Sequence, residues 1–212
     1  MARPRAAGYE DQREQILAAA AQLFATRGYT AATMNDVAAA CGVSKPTLYH
    51  YVRDKHDLLR QISAGHVARL EALVAEVGAV RLAPEAHLRA LIQRFMQAYA
   101  SAEHEHRVLT EDVKFLAEPE RDAVQAGQRR VVRAFAAAIA ALRPELAAAR
   151  LDTALAMLLF GMINWTFTWL KPGGALTHET LAPVVIDLFL GGLPAVVAQP
   201  RAATKSRTAA IT

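Results

Sequence analysis

At 212 residues, 53% of them apolar and 21% charged, the chain is long enough for one or two domains with a substantial core and too apolar to be disordered throughout. Its one cysteine, Cys41, excludes an internal disulfide and any multi-cysteine metal site. The formal charge of +4 sits at the ends, with a net +2 over residues 1–60, −1 over 61–193 and +3 over 194–212, so charge alone makes no case for nucleic-acid binding.

The first fifteen residues, MARPRAAGYEDQREQ, carry charge and no apolar run, so no secretory leader is read and a cytoplasmic location is expected. Residues 1–9 form a basic arm with Arg3 and Arg5. Ile16, Leu23 and Phe24, with Ala19 and Ala20 between them, mark a first helix that Gly28 ends. Thr33, with Asp36 three residues on, predicts the cap of a short helix whose Val37 and Ala38 face inward. Gly42 supplies a sharp turn, Ser44 caps a second short helix, and Pro46 lies in its first turn, where no amide hydrogen is needed. Asp54 caps the next helix from Lys55, with a stripe of Leu58, Ile62, Leu70, Leu73, Val74 and Val77. Pro84 opens a helix over 85–100 bearing Leu88, Leu91, Ile92, Phe95, Met96 and Tyr99 on one face. Glu118-Pro119 opens another, with Val124, Val131, Val132, Phe135, Ile139 and Leu142, and Arg143-Pro144 breaks the chain again. Residues 155–170 are apolar almost all round and read as one helix, stopped by Lys171-Pro172-Gly173-Gly174. Thr180 is expected to cap the last helix, with Pro183 in its first turn, and Gly191-Gly192-Leu193-Pro194 to end it. Residues 195–212 are basic with no stripe and are expected to be disordered. With no alternating run and no Asn-Gly or Asp-Gly hairpin, the fold class is all-α.

The segment 33–59, TMNDVAAACGVSKPTLYHYVRDKHDLL, thus predicts two short helices joined by a glycine turn, a helix-turn-helix. Its second helix presents Lys45, Thr47, Tyr49 and His50, side chains that donate to phosphates or reach base edges. These residues resemble the N-terminal domain of the TetR family of bacterial transcriptional regulators. The likeness runs through Thr33, Val37-Ala38, the run Gly42 to Tyr51, Lys55 and Leu58-Leu59, and upstream through Ala20, Phe24 and Gly28. Val52 stands where the family usually has Phe, an apolar-for-apolar exchange expected to alter packing only. The resemblance implies a three-helix DNA-binding domain over 10–56 that contacts a double-stranded operator through Thr33, Ser44, Lys45, Pro46, Thr47, Tyr49, His50 and Lys55. Thr47, Tyr49 and Lys55 would lie on phosphates, Lys45 and His50 near base edges. It also implies a larger helical domain over 57–194 that dimerises and binds a small molecule.

Residues 155–170 could be read as a membrane span, but their length is at the lower edge and they hold Gly161, Asn164, Thr166 and Thr168. A helix packed on its own core on one side and on a second subunit on the other explains the same pattern. Leu158, Met162, Val185 and Phe189 are the expected homodimer contacts, and no membrane partner is expected. The segment 161–177, GMINWTFTWLKPGGALT, also resembles a TetR subgroup that senses acyl-CoA thioesters. That resemblance implies a small hydrophobic effector, for which Met96, Tyr99, Phe115, Leu116, Phe135, Trp165 and Trp169 could line a tunnel, with Asn164 as a polar contact. Arg107, with Lys114, Arg129, Arg130 and Arg133, could grip phosphates. A sensor of hydrophobic drugs or aromatics is the alternative within the family. A helical ligand-binding protein or enzyme without specific DNA binding is the alternative outside it. Two further features weigh less. The His residues of Glu103-His104-Glu105-His106 point apart on a helix, so a solvated turn between helices is expected rather than a metal site. Cys41 has no second cysteine to resolve it as a redox switch. No nucleophile elbow, zincin, phosphate-loop or dinucleotide fingerprint occurs, so neither an enzyme nor a cofactor is expected.

Overall fold

A computed structural model describes residues 7–171 and 173–197. Residues 1–6 of the basic arm, with Arg3 and Arg5, Pro172, and residues 198–212 of the C-terminal tail lie outside the described residues, whereas residues 7–9 of the arm belong to the first helix and Ala195 closes a 3₁₀ turn, Leu193–Ala195. Among the described residues the chain forms ten α-helices and no strand. They are α1 (Ala7–Arg27), α2 (Met34–Ala40), α3 (Lys45–Tyr49), α4 (Lys55–Gly78), α5 (Pro84–Ser101), α6 (Glu103–Glu111), α7 (Glu118–Leu142), α8 (Pro144–Ala148), α9 (Asp152–Ile163) and α10 (His178–Gly192).

The first four helices form where local chemistry starts and stops them. Gly28 ends α1 at φ +84°, a conformation only glycine takes without strain. Thr33 and Asp36 exchange bonds at the start of α2: Asp36 N–H donates to Thr33 Oγ1 at 3.2 Å and Thr33 N–H to Asp36 Oδ2 at 2.9 Å. Gly42, at φ +64°, turns the chain into α3. There Ser44 Oγ accepts from Thr47 N–H, and Asp54 caps α4 in the same way through Asp57 N–H at 2.7 Å.

Two hydrophobic cores result. The first holds Ile16, Ala20 and Phe24 of α1, Val37 and Ala38 of α2, Leu48 of α3, Val52, and Leu58, Leu59, Ile62 and Val67 of α4. Val108, Leu109, Leu116 and Val124, from beyond α5, close it. Val52 is buried in this core. The second core is built on α5, whose Leu88, Leu91, Ile92, Phe95, Met96 and Tyr99 are buried against α7, α9 and α10. Burial of six such side chains contributes on the order of 10 kcal/mol before chain entropy is set against it. Phe95, Phe135 and Phe160 meet edge to face at its centre, with ring centroids 4.8 and 4.9 Å apart for the Phe95–Phe135 and Phe135–Phe160 pairs. Helix α4 runs unbroken from one core into the other, giving Leu58 and Leu59 to the first and Leu70, Leu73 and Val77 to the second.

Three expectations need correction. Residues 155–170 are not one helix: α9 ends at Ile163, and a 3₁₀ turn, Thr166–Thr168, follows. Polar groups divert the backbone there: Tyr99 Oη donates to Asn164 Oδ1, and Thr166 Oγ1 bonds both Ile163 O and His178 Nε2. The last helix is capped by Thr177, with Thr180 three residues inside, and Pro183 is therefore interior to α10 rather than in its first turn. Glu103 to His106 belongs to α6 rather than to a solvated turn, and His106 is buried. No helix among the described residues is long and apolar enough to cross a membrane.

Candidate functional site

On α3, Leu48 is buried in the first core and anchors the helix, while Lys45, Pro46, Tyr49 and His50 are exposed and Thr47 is half-buried. This is the outward face expected of a helix that enters a groove. The hydroxyls of Thr33 and Ser44 serve the helix caps, and Ser44 Oγ also lies 2.7 Å from Thr47 Oγ1. Lys55 differs from expectation. Its ammonium donates to the carbonyls of Tyr29, Thr30 and Ala32 at 2.9, 3.2 and 3.0 Å and lies 4.6 Å from the Tyr29 ring. All three N–H donors are thus committed to the loop between α1 and α2, and Lys55 is a brace rather than a phosphate grip. Cys41 caps the C-terminus of α2 as a half-buried free thiol, its pKa raised by burial.

A cavity of about 630 Å³ opens between α4, α5, α6, α7 and α9. Val67, Leu70, Leu109, Val131, Val132, Met157 and Phe160 form its apolar wall. Gln125, Arg129 and Arg133 follow one another at four-residue spacing along the α7 face that borders it. Tyr99, His106, Thr110 and Asn164 give it a polar side. Tyr99 stacks on the His106 ring with centroids 3.8 Å apart, and His106 Nε2 lies 3.1 Å from the backbone carbonyl of Asn164. Burial holds the His106 imidazole down at about 4, and His66, behind it on α4, at about 3, so both rings are neutral near pH 7.

Of the ligand residues expected from sequence, Tyr99 and Asn164 line this cavity. The others do not. Met96 and Phe135 are fully buried in the second core. Phe115 stacks on Tyr29 of the first core at 5.1 Å. Arg107 is paired with Glu111 at 3.0 Å and rides over the Phe167 ring. Trp165 and Trp169 are half-exposed, 52% and 51%, and do not close the cavity. Of the remaining cations, Arg129 and Arg133 border it, whereas Arg130 pairs with Glu71 and Lys114 lies over Phe115. Sequence reading missed His66 and weighed His106 only as a metal ligand. The signal for His66 was present: it interrupts the α4 stripe between Ile62 and Leu70.

The expected subunit contacts divide in two. Leu158 is 66% exposed and Met162 half-buried, but Val185 and Phe189 turn into the chain's own second core. Their neighbours Val184 and Leu188, 56% and 66% exposed, carry the outer face of α10, and Met157 and Leu158 of α9 and Trp165 just beyond it are exposed as well. Exposed apolar side chains this numerous suit a surface for another molecule.

Comparison with known proteins gives a consistent result. Residues 16–62 match the family described as bacterial regulatory proteins, tetR family, and residues 81–193 match the tetracyclin repressor-like C-terminal domain. A TetR-family transcriptional regulator from Bordetella parapertussis 12822 superposes with a TM-score of 0.81 at 34% identity, covering 89% of this chain and 98% of that one. The HTH-type transcriptional repressor KstR2 of Rhodococcus jostii (strain RHA1) is 28% identical over 189 residues, 88% of this chain and 93% of its own length. AibR, solved in complex with isovaleryl coenzyme A and operator DNA, superposes with a TM-score of 0.71 at 26% identity over 84% of this chain and 97% of its own.

Proposed function

This chain belongs to the TetR family of bacterial transcriptional regulators, and we propose that it acts in the cytoplasm as a homodimeric repressor released from its operator by a small, largely apolar effector. The observation that carries this reading is the cavity, because one of its walls is α4, the helix that follows α3 and shares the first core with it through Leu58 and Leu59. Residues 10–56 read DNA through Lys45, Pro46, Thr47, Tyr49 and His50, with Thr33 and Ser44 holding the helix ends, and residues 57–194 bind effector and dimerise. The exposed face of α9 and α10, with Leu158, Val184 and Leu188, packs on its counterpart in a second copy. Two α3 helices then sit in successive major grooves, roughly one helical turn apart. An effector favouring a different spacing lowers operator affinity by its differential affinity for the two states.

The effector is an acyl-CoA thioester. An acyl group fits the apolar wall, and Arg129 and Arg133 offer cations to its phosphates. A neighbour in fold, AibR, is known in complex with isovaleryl coenzyme A. The test is titration of a preformed protein–operator complex with a series of CoA thioesters, the matching free acids, and free CoA. Release by thioesters alone is expected. Equal release by the free acids would replace the thioester with a hydrophobic acid, and no release by any member would favour a drug or aromatic sensor.

A further inference from the structure

The polar end of the cavity holds more hydrogen-bonding capacity than the protein itself uses. A carbonyl only accepts, so His106 Nε2 donates its hydrogen to Asn164 O. In the neutral ring that leaves Nδ1 as a bare acceptor, and this atom is buried with no partner among the described residues. Asn164 spends Oδ1 on the Tyr99 hydroxyl, and no bond from its amide N–H₂ group is found among the described residues. Behind this pair, the His66 ring lies 5.6 Å from that of His106, and both of its nitrogens are buried and unpartnered. Ser63, one helical turn earlier on α4, is fully buried, and its hydroxyl is unpartnered as well. A donor or acceptor left in this state costs about 1–3 kcal/mol, and native cores hold few of them. Here they gather at one place, where α4, α5, α6 and the end of α9 meet, against a cavity whose remaining wall is mostly apolar.

We propose that the effector carries a hydroxyl group on its apolar part, which enters this polar end, donates to His106 Nδ1 and accepts from the Asn164 amide. Of the common small groups, a hydroxyl supplies both functions from one atom, which suits a donor and an acceptor held on two residues already bonded to each other. A plain hydrocarbon tail would meet none of their needs. Recognition at this point also loads α4, which carries Ser63 and His66, so a hydroxylated ligand reaches the helix that supports the DNA-reading domain. The inference rests on the effector reading above but not on the coenzyme A part of it.

The test uses matched pairs: octanoyl-CoA with ω-hydroxyoctanoyl-CoA, phenylpropanoyl-CoA with p-hydroxyphenylpropanoyl-CoA, and the corresponding free acids. Affinity is measured by calorimetry on the full-length wild type, on His106→Phe, which keeps a ring against Tyr99, and on His66→Leu. In the wild type the hydroxylated member of at least one pair binds about tenfold tighter, the size of one well-made polar contact. His106→Phe loses that preference. His66→Leu melts at a higher temperature than the wild type when free of ligand, since it removes two unmet polar atoms and no hydrogen bond. A preference seen only among the free acids leaves this inference standing and removes the thioester from the proposed function. Equal affinity within every pair, an unchanged preference in His106→Phe, binding of no probe in either series, or a lower melting temperature in His66→Leu would overturn it.

Discussion

Asp57 and His66 lie nine residues apart on α4 and both are buried, yet they are treated in opposite ways. Asp57 accepts from Arg53 N–H at 3.1 Å, Arg60 Nη2 at 2.6 Å and Gln61 Nε2 at 3.1 Å. Burial works against its charge, but these bonds hold its pKa below the usual carboxylate range. His66 has no such partner, and burial, helped by the charges of His106 and Arg69, keeps it neutral. The contrast extends to the regions around them. The DNA-reading end is complete within one chain, down to the caps of three successive helices. The cavity and the outer face of α9 and α10 are open, with unmet polar atoms in one and exposed apolar side chains on the other. Regions that a single chain finishes hold their shape unaided, and regions it leaves unfinished are those that a ligand or a second copy would complete.

The most severe test of this contrast is a charge placed on the open face. Leu188→Glu alters a side chain that is 66% exposed in the single chain. It leaves the fold of the single chain intact but places an unpaired carboxylate between subunits, at a cost of several kcal/mol. Sedimentation equilibrium is expected to show monomer with an unchanged helical spectrum. A dimer as stable as the wild type would put the subunit contact elsewhere.

Acidification probes the unmet histidines. In the unfolded chain both titrate near the ordinary histidine value of 6.5, whereas in the fold burial holds His66 at about 3 and His106 at about 4. The unfolded state therefore takes up protons first, and stability present above pH 6.5 is lost as pH falls toward the folded values. Asp112 acts oppositely: burial raises it from 3.8 to about 6, so the fold binds that proton first and gains stability between those values. Two histidines outweigh one carboxyl. The melting temperature is expected to fall from pH 7 to pH 5, with a slope of about 1.4 kcal/mol per pH unit for each net proton. Replacing His66 by Leu should flatten the slope, and an equal slope in that variant would refute the assignment.

The finished end gives smaller effects. Lys55→Met removes the brace to the Tyr29, Thr30 and Ala32 carbonyls and is expected to cost about 2–3 kcal/mol, read as a lower melting temperature. It should leave the salt dependence of operator binding unchanged, whereas Lys45→Ala flattens that dependence by about one unit. The reverse pattern would return Lys55 to the DNA face. Ser44→Ala, which deprives Thr47 N–H of its acceptor at the start of α3, is expected to cost only about 1 kcal/mol in thermal denaturation.

The same division explains what could be read from the chain. Thr33, Asp36, Gly42, Ser44, Pro46 and Asp54 each act within three or four residues of themselves, so the helix-turn-helix was legible down to its caps. The cavity is tertiary. Phe115 and Phe135 are aromatic residues in plausible helices, and nothing local says that one meets Tyr29 and the other Phe95. The end of α9 depends on Tyr99, His106 and His178, which lie tens of residues from Asn164 and Thr166 or beyond a loop. The apolar run of α10 has two apolar faces, so its spacing could not tell Val185 and Phe189, which turn inward, from Val184 and Leu188, which turn out.

Gly127 of α7 is buried where α7 crosses α4, and a methyl group in its place would overlap Val67 Cγ1. The two helices therefore approach closely at Val67, which forms the edge of the cavity nearer the start of α4, so the crossing would serve as a fulcrum. Lys55 lies twelve residues from Val67, about 18 Å along a rigid helix. Each degree of tilt about that fulcrum carries the base of the DNA-reading domain through about 0.3 Å, so a tilt of about five degrees moves it by roughly 1.5 Å. A second copy tilting in the same sense would double the change in distance between the two heads. On the proposed function, a ligand the size of a few carbon atoms would act on the short arm of a lever whose long arm ends at the double helix.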